Sequence, residues 1–107
     1  MDSRVLDVLR LLDGSWRTPP RITQLAVQVG LGQSRLEHLF RSEVKESIRA
    51  YVTRQRLAAA AQMLTASRER ISTIAFAVGF NDVSNFNHRF KKHFGKSPRD
   101  YRRAFTS

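Results

Sequence analysis

Residues 21–30, Arg21-Ile22-Thr23-Gln24-Leu25-Ala26-Val27-Gln28-Val29-Gly30, return 49 positions later as Arg70-Ile71-Ser72-Thr73-Ile74-Ala75-Phe76-Ala77-Val78-Gly79. The likeness then continues at an offset of 50. Ser34, Leu36, His38, Phe40, Ser47 and Tyr51 align with Ser84, Phe86, His88, Phe90, Ser97 and Tyr101. One extra residue therefore enters the turn after the second glycine. A duplication constrains the fold strongly, because both copies must form the same small unit. A chain of 107 residues has room for one compact domain or two small lobes sharing an element.

The units are helical. Apolar residues recur at three- and four-residue spacing, and no alternating strand pattern persists. Val5, Leu6, Val8, Leu9, Leu11 and Leu12 predict a first helix, capped by Asp2 or Ser3 and ended by Gly14. Pro19-Pro20 keeps the following link extended. Leu25, Ala26 and Val29 predict a short helix stopping at Gly30. A third, over 33–44, buries Leu36, Leu39 and Phe40. Ser47 caps a long helix over 48–66, with Ile48, Tyr51, Val52, Leu57, Ala58, Ala61 and Leu64 on its inner side. Helices over 71–78 and 83–94 repeat the earlier pair, the latter burying Phe86, Phe90 and Phe94. Ser97-Pro98 starts a last one. The expected fold is all-α, with seven helices and no sheet.

Charge narrows the partner. Nineteen Lys and Arg face nine Asp and Glu, a formal net charge of +10. The excess is uneven: residues 1–50 carry eight basic and six acidic groups, residues 51–107 eleven and three. Such a surplus is either solvated surface or the footprint of a polyanion. With no cysteine there is no disulfide, Cys-based zinc site or thiol nucleophile. No apolar run approaches the roughly 18 residues of a membrane helix. Met1-Asp2-Ser3-Arg4 opens no secretion signal. His88 and His93 are wrongly spaced for a metal pair on one helix face. No catalytic constellation, metal site or cofactor site is visible. The cysteine-free composition fits the cytoplasm, and an enzyme is not expected.

Each repeat reads short helix, glycine, turn, second helix, which is the helix-turn-helix pattern. Ala26 and Ala75 let the two helices approach, and Gly30 and Gly79 permit a left-handed turn. A unit repeated in a very basic chain suits a partner that itself repeats, such as duplex DNA. Several positions are similar to the signature of the AraC/XylS-type transcription regulators. They are Arg56-Leu57, Ala60, Met63-Leu64, Ser67, Ile71, Ile74-Ala75, Gly79-Phe80, Asp82, Ser84, Phe86, Phe90-Lys91-Lys92, Gly95, Ser97-Pro98 and Tyr101-Arg102. The resemblance runs from about Val5 to Phe105. It implies a DNA-binding domain with a first helix-turn-helix subdomain (1–46), a linker helix (47–66) and a second subdomain (67–107). It also implies two recognition helices in adjacent major grooves, an activator's role, and a place in the bacterial cytoplasm at the nucleoid. Because the duplication puts both readers in one chain, a monomer is expected to suffice.

Helical periodicity separates core from DNA-facing residues. Gln33, Ser34, Glu37, His38 and Arg41 lie opposite the core of the first reader, and Val83, Ser84, Asn87, His88 and Lys91 opposite that of the second. These are donors and acceptors suited to base edges, with Val83 suited to a thymine methyl. Phosphate contacts are expected from Arg21 and Arg70, just before the short helices, and from Arg54, Arg56, Lys92, Lys96, Ser97 and Arg102. The resembled family usually carries arginine where this chain has His38 and His88, which replaces a bidentate guanine contact with a single donor. Lys45 stands where the second copy has Gly95, and is strained if that helix end is left-handed. The expected partner is double-stranded DNA, with RNA polymerase a further partner. No membrane, cofactor or small-molecule ligand is expected. The competing reading is a module that docks on RNA polymerase or another regulator and binds DNA weakly and unspecifically.

Overall fold

Side-chain caps and left-handed residues cut the chain into seven helices in the computed structural model, which describes residues 1–105. They are α1 (Ser3–Ser15), α2 (Ile22–Val29), α3 (Gln33–Val44), α4 (Ile48–Ala66), α5 (Ile71–Ala77), α6 (Val83–Phe94) and α7 (Pro98–Phe105). No strand occurs among the described residues, so the fold is all-α as expected. The second subdomain was expected to end at Ser107; Thr106 and Ser107 lie outside the described residues.

Asp2 is the first cap: its carboxylate accepts the Arg4 N–H at 2.8 Å and the Arg4 guanidinium at 2.9 Å. Ser47 and Ser97 cap α4 and α7 alike, accepting the backbone N–H of Ala50 at 3.0 Å and of Asp100 at 3.1 Å. One expected stop is wrong. Gly14 does not end α1; the helix runs through it to Ser15. Glycine stops a helix when it turns left-handed, and Gly14 is not among the positive-φ residues. The Ser15 hydroxyl instead donates back to the Leu11 carbonyl at 2.6 Å.

The chain divides into two compact units, Met1–Gln55 and Arg56–Ser107. In the first, Val5, Val8 and Leu12 of α1 pack in one core with Leu25 and Ala26 of α2 and with Leu36 and Phe40 of α3. Ile48, Tyr51 and Val52 of α4 complete that core. Fully burying such a side chain contributes about 1.5–3 kcal/mol. The Tyr51 hydroxyl donates to Asp13, fixing the start of α4 against the end of α1. Burial, then that hydrogen bond, push the Tyr51 hydroxyl up to about 12. The Glu43 carboxylate accepts the Asp2 N–H at 2.9 Å, which ties α3 to the start of α1.

In the second unit the buried residues are Leu57, Ala60, Ala61, Leu64, Ile74, Ala75, Val78, Phe80, Phe86, Phe90 and Pro98. Aromatic rings replace aliphatics at repeat positions: Phe80 for Leu31, Phe86 for Leu36, Phe94 for Val44. Phe80 meets Phe86 edge-on at 5.2 Å, and Phe90 meets Tyr101 edge-on at 5.3 Å, both favourable quadrupole geometries. Three burial expectations change. Ala58 is exposed while Ala60 is fully buried, and Leu39 and Phe94 are only half-buried. The inward positions 48, 51 and 52 of α4 belong to the first unit, and those at 57, 60, 61 and 64 to the second. The stripe thus changes phase between Val52 and Leu57, and a single extrapolated stripe misplaces Ala58.

Candidate nucleic-acid interface

Both repeats build the same turn. In the first, the Leu31 N–H bonds the Ala26 carbonyl at 2.9 Å and the Gly30 N–H bonds Val27 at 3.2 Å. In the second, Phe80 bonds Ala75 at 3.0 Å and Gly79 bonds Phe76 at 3.1 Å. Paired bonds of this kind satisfy the last carbonyls of a helix and need a left-handed residue. Gly30 has φ 73° and Gly79 φ 106°. Ala26 and Ala75 are both buried beneath their turns.

The turns then diverge by the inserted residue. Gly32 precedes α3 and offers no capping side chain, whereas Asp82 precedes α6 and accepts the Asn85 N–H at 3.1 Å. Asp82 stands 50 residues after Gly32, so an exchange at the capping position, not the inserted residue, gives the second copy a cap that the first lacks.

The second helix of each turn presents the expected face. Leu36 and Phe40 hold α3 to its core, leaving Gln33, Ser34, Glu37, His38 and Arg41 exposed. Phe86 and Phe90 do the same for α6, leaving Ser84, Asn87, His88 and Lys91 exposed and Val83 half-buried. A helix with its side chains is about 10–12 Å across, matching a major groove about 12 Å wide. Beside α3 lies a cleft of about 540 Å³ lined by Ile22, Ser34, Glu37, His38, Arg41, Ser47, Ile48 and Arg49. The Gln33 amide donates to the Glu37 carboxylate at 3.3 Å.

The phosphate candidates separate into two groups. Arg21, Arg70, Lys92 and Lys96 are exposed, and so is Arg54, which however is held in an ion pair. It and the remaining candidates have work inside the fold. The Arg54 guanidinium bonds Glu46 at 2.8 Å and lies 5.2 Å from the centre of the Tyr51 ring; the Glu46 carboxylate raises its pKa. Arg56 is half-buried, and burial lowers its pKa. The Ser97 hydroxyl is the α7 cap. Arg102 donates to the Leu64 carbonyl at 3.0 Å and to the Glu69 carbonyl at 2.7 Å, which fastens the loop before α5.

Sequence reasoning passed over Arg49 and Arg99. Both are exposed, and both stand two residues after a capping serine. The 50-residue offset that aligns Ser47 with Ser97 also aligns this pair, so the signal was present in the repeat. Among the described residues, no three His, Cys, Asp or Glu side chains group to hold a metal. No helix among them is long and apolar enough to cross a membrane.

Comparison with known proteins places this arrangement. The helix-turn-helix domain family matches residues 25–104. The arabinose operon regulatory protein of Salmonella typhimurium is 37% identical over 103 residues, covering 95% of this chain and 37% of that protein. The HTH-type transcriptional activator RhaR of Yersinia pseudotuberculosis is 41% identical over 70 residues, 65% of this chain and 24% of that protein. A transcriptional regulator of Chromobacterium violaceum, described by its AraC-type DNA-binding domain, superposes with a TM-score of 0.87 at 25% identity. That match covers 98% of this chain and 94% of the other. The chain thus spans 37% or less of the length of the arabinose and RhaR regulators.

Proposed function

The chain belongs to the AraC/XylS family of DNA-binding transcription regulators, not to an enzyme family, and from that premise we propose a sequence-specific activator that reads two adjacent major grooves as a monomer. The single observation that carries this reading is the duplicated turn. Residues 1–46 and 67–107 each present the exposed polar face of a second helix, and residues 47–66 join them. Successive major grooves on one face of DNA repeat every 34–36 Å. The joining helix α4, of 19 residues, is about 28 Å long, of the same order. A protein with one such turn commonly dimerises to reach two half-sites; a duplicated chain has no such need.

Base contacts are assigned to Gln33, Ser34, Glu37, His38 and Arg41 and to Val83, Ser84, Asn87, His88 and Lys91. Phosphate contacts are assigned first to the exposed Arg21, Arg70, Lys92 and Lys96. Activation is assigned because the related RhaR is described as an activator, and RNA polymerase is then a second partner. The work takes place on chromosomal DNA in the bacterial cytoplasm.

Sites selected from randomised duplex, then footprinted and titrated, test the reading. The expected result is an asymmetric site of roughly two helical turns, protected in two grooves at one protein per site. A footprint confined to one groove, or two proteins on the minimal site, overturns it. Weak binding without sequence preference would point instead to a module that docks on another protein.

A further inference from the structure

The two exposed reading faces are not copies of each other. At the 50-residue offset, Ser34 matches Ser84, His38 matches His88 and the cation Arg41 matches Lys91, but Gln33 becomes Val83 and Glu37 becomes Asn87. We propose that this pair of exchanges makes the half-sites differ, with a cytosine facing Glu37 and an adenine facing Asn87. The proposal rests on the reading above, that α3 and α6 each enter a major groove.

The argument is one of donors and acceptors. A glutamate carboxylate only accepts hydrogen bonds. In the major groove guanine shows two acceptors, and thymine an acceptor and a methyl group. Adenine shows a donor beside the acceptor N7; cytosine alone shows a donor with no acceptor next to it. Against the other three bases the carboxylate meets a lone pair, inside the negative potential of the duplex. Against cytosine it receives a charge-assisted bond from N4, stronger than a neutral one. Glu37 therefore excludes as much as it selects.

The neighbouring side chain agrees in each copy. Gln33 lies one turn before Glu37 on the same face and donates to Oε1 at 3.3 Å. That bond orients an exposed carboxylate and leaves Oε2 to accept. Gln33 thus positions Glu37 in addition to its own assigned base contact. In the second copy the amide is carried by residue 87 itself. Asn87 offers a donor and an acceptor, the complement of N6 and N7 of adenine, and Val83 in place of Gln33 suits a thymine methyl.

Site selection from randomised duplex at fixed salt tests this, using the full chain and the variants Glu37→Gln, Glu37→Asn and Asn87→Glu. The wild type should select cytosine at one position of one half-site, and any other base there should weaken binding by about tenfold. Glu37→Gln should lose most of that discrimination and bind random duplex more tightly, since a negative charge is gone. Glu37→Asn should move the preference to adenine, and Asn87→Glu should move the second half-site to cytosine. Gln33→Ala should weaken the cytosine preference while the unfolding midpoint stays unchanged. The untouched half-site of each variant is the internal control for folding. An unchanged cytosine preference in Glu37→Gln overturns the proposal while leaving the two-groove function intact. Failure of the wild type to enrich any sequence overturns both.

Discussion

Lys45 shows what a repeat reveals about a single residue. It closes α3 at φ 71°, the only positive φ outside glycine among the described residues, where Gly95 closes α6 at φ 78°. A left-handed Cβ approaches the following carbonyl oxygen, and glycine avoids that clash. Lys45→Gly is expected to raise stability by up to about 1 kcal/mol and Gly95→Ala to lower it by about as much, read from urea unfolding. A lower midpoint for Lys45→Gly would refute the account. The site was legible because the glycine survives in one copy only. The Arg102 bonds were not legible, since their acceptors are the carbonyls of Leu64 and Glu69, which every residue type carries. Asp2 gives a second test at this scale. The Arg4 guanidinium's hydrogen bond, then the Arg4 N–H, hold its carboxyl at about 2 against an ordinary 3.8. A depressed folded-state value stabilises above the ordinary pKa and is lost as pH falls through the folded one. Asp2→Asn keeps a capping oxygen and loses the charge. It should melt below the wild type at neutral pH, with the difference closing between about pH 4 and pH 2. A difference that persists at pH 2 would remove the ion pair from the explanation.

At the scale of elements, apolar periodicity and the repeat located the first six helices, and the Ser97-Pro98 cap located the seventh. Their ends depended on local chemistry that periodicity does not see. Gly30 stops α2 because it turns left-handed, while Gly14 stays inside α1. The phase change in α4 was hidden because one helix serves two cores, and a stripe read from either end fails at Ala58. The second helices of the two turns, α3 and α6, differ at their starts in a way that can be measured. Asp82 caps α6 with a 3.1 Å bond to the Asn85 N–H, and Gly32 leaves α3 uncapped. Asp82→Ala should cost about 1 kcal/mol, and Gly32→Asp should add a few tenths. Gly32 sits at φ −72° with open space where a side chain would go. Amide exchange in α3 and α6 would read the effect locally, and equal loss throughout the chain would speak against a capping origin.

For the whole molecule, the question is how many of the 19 Lys and Arg remain for DNA once the fold has used its share. Arg4 is held by Asp2 at 2.9 Å and Arg54 by Glu46 at 2.8 Å. Arg102 clasps two carbonyls and Arg56 is half-buried. A charge count cannot separate these from outward cations; hydrogen-bond geometry can. The exposed set built on the repeat is Arg21 and Arg70, Arg49 and Arg99, with Lys92 and Lys96 added. If those six neutralise phosphates, each releases a bound counterion, and log affinity should fall with log salt at a slope near −5. Lys92→Ala should flatten that slope by about one while leaving the selected sequence unchanged. Arg102→Ala should instead lower the melting temperature, because its loss unfastens the loop before α5. Titrations on one duplex at several salt concentrations, paired with thermal melts, distinguish the two behaviours. A wild-type slope shallower than about −2 would mean that the +10 charge is mostly solvated surface. A flattened slope for Arg102→Ala at an unchanged melting temperature would return that arginine to the phosphate-contacting set.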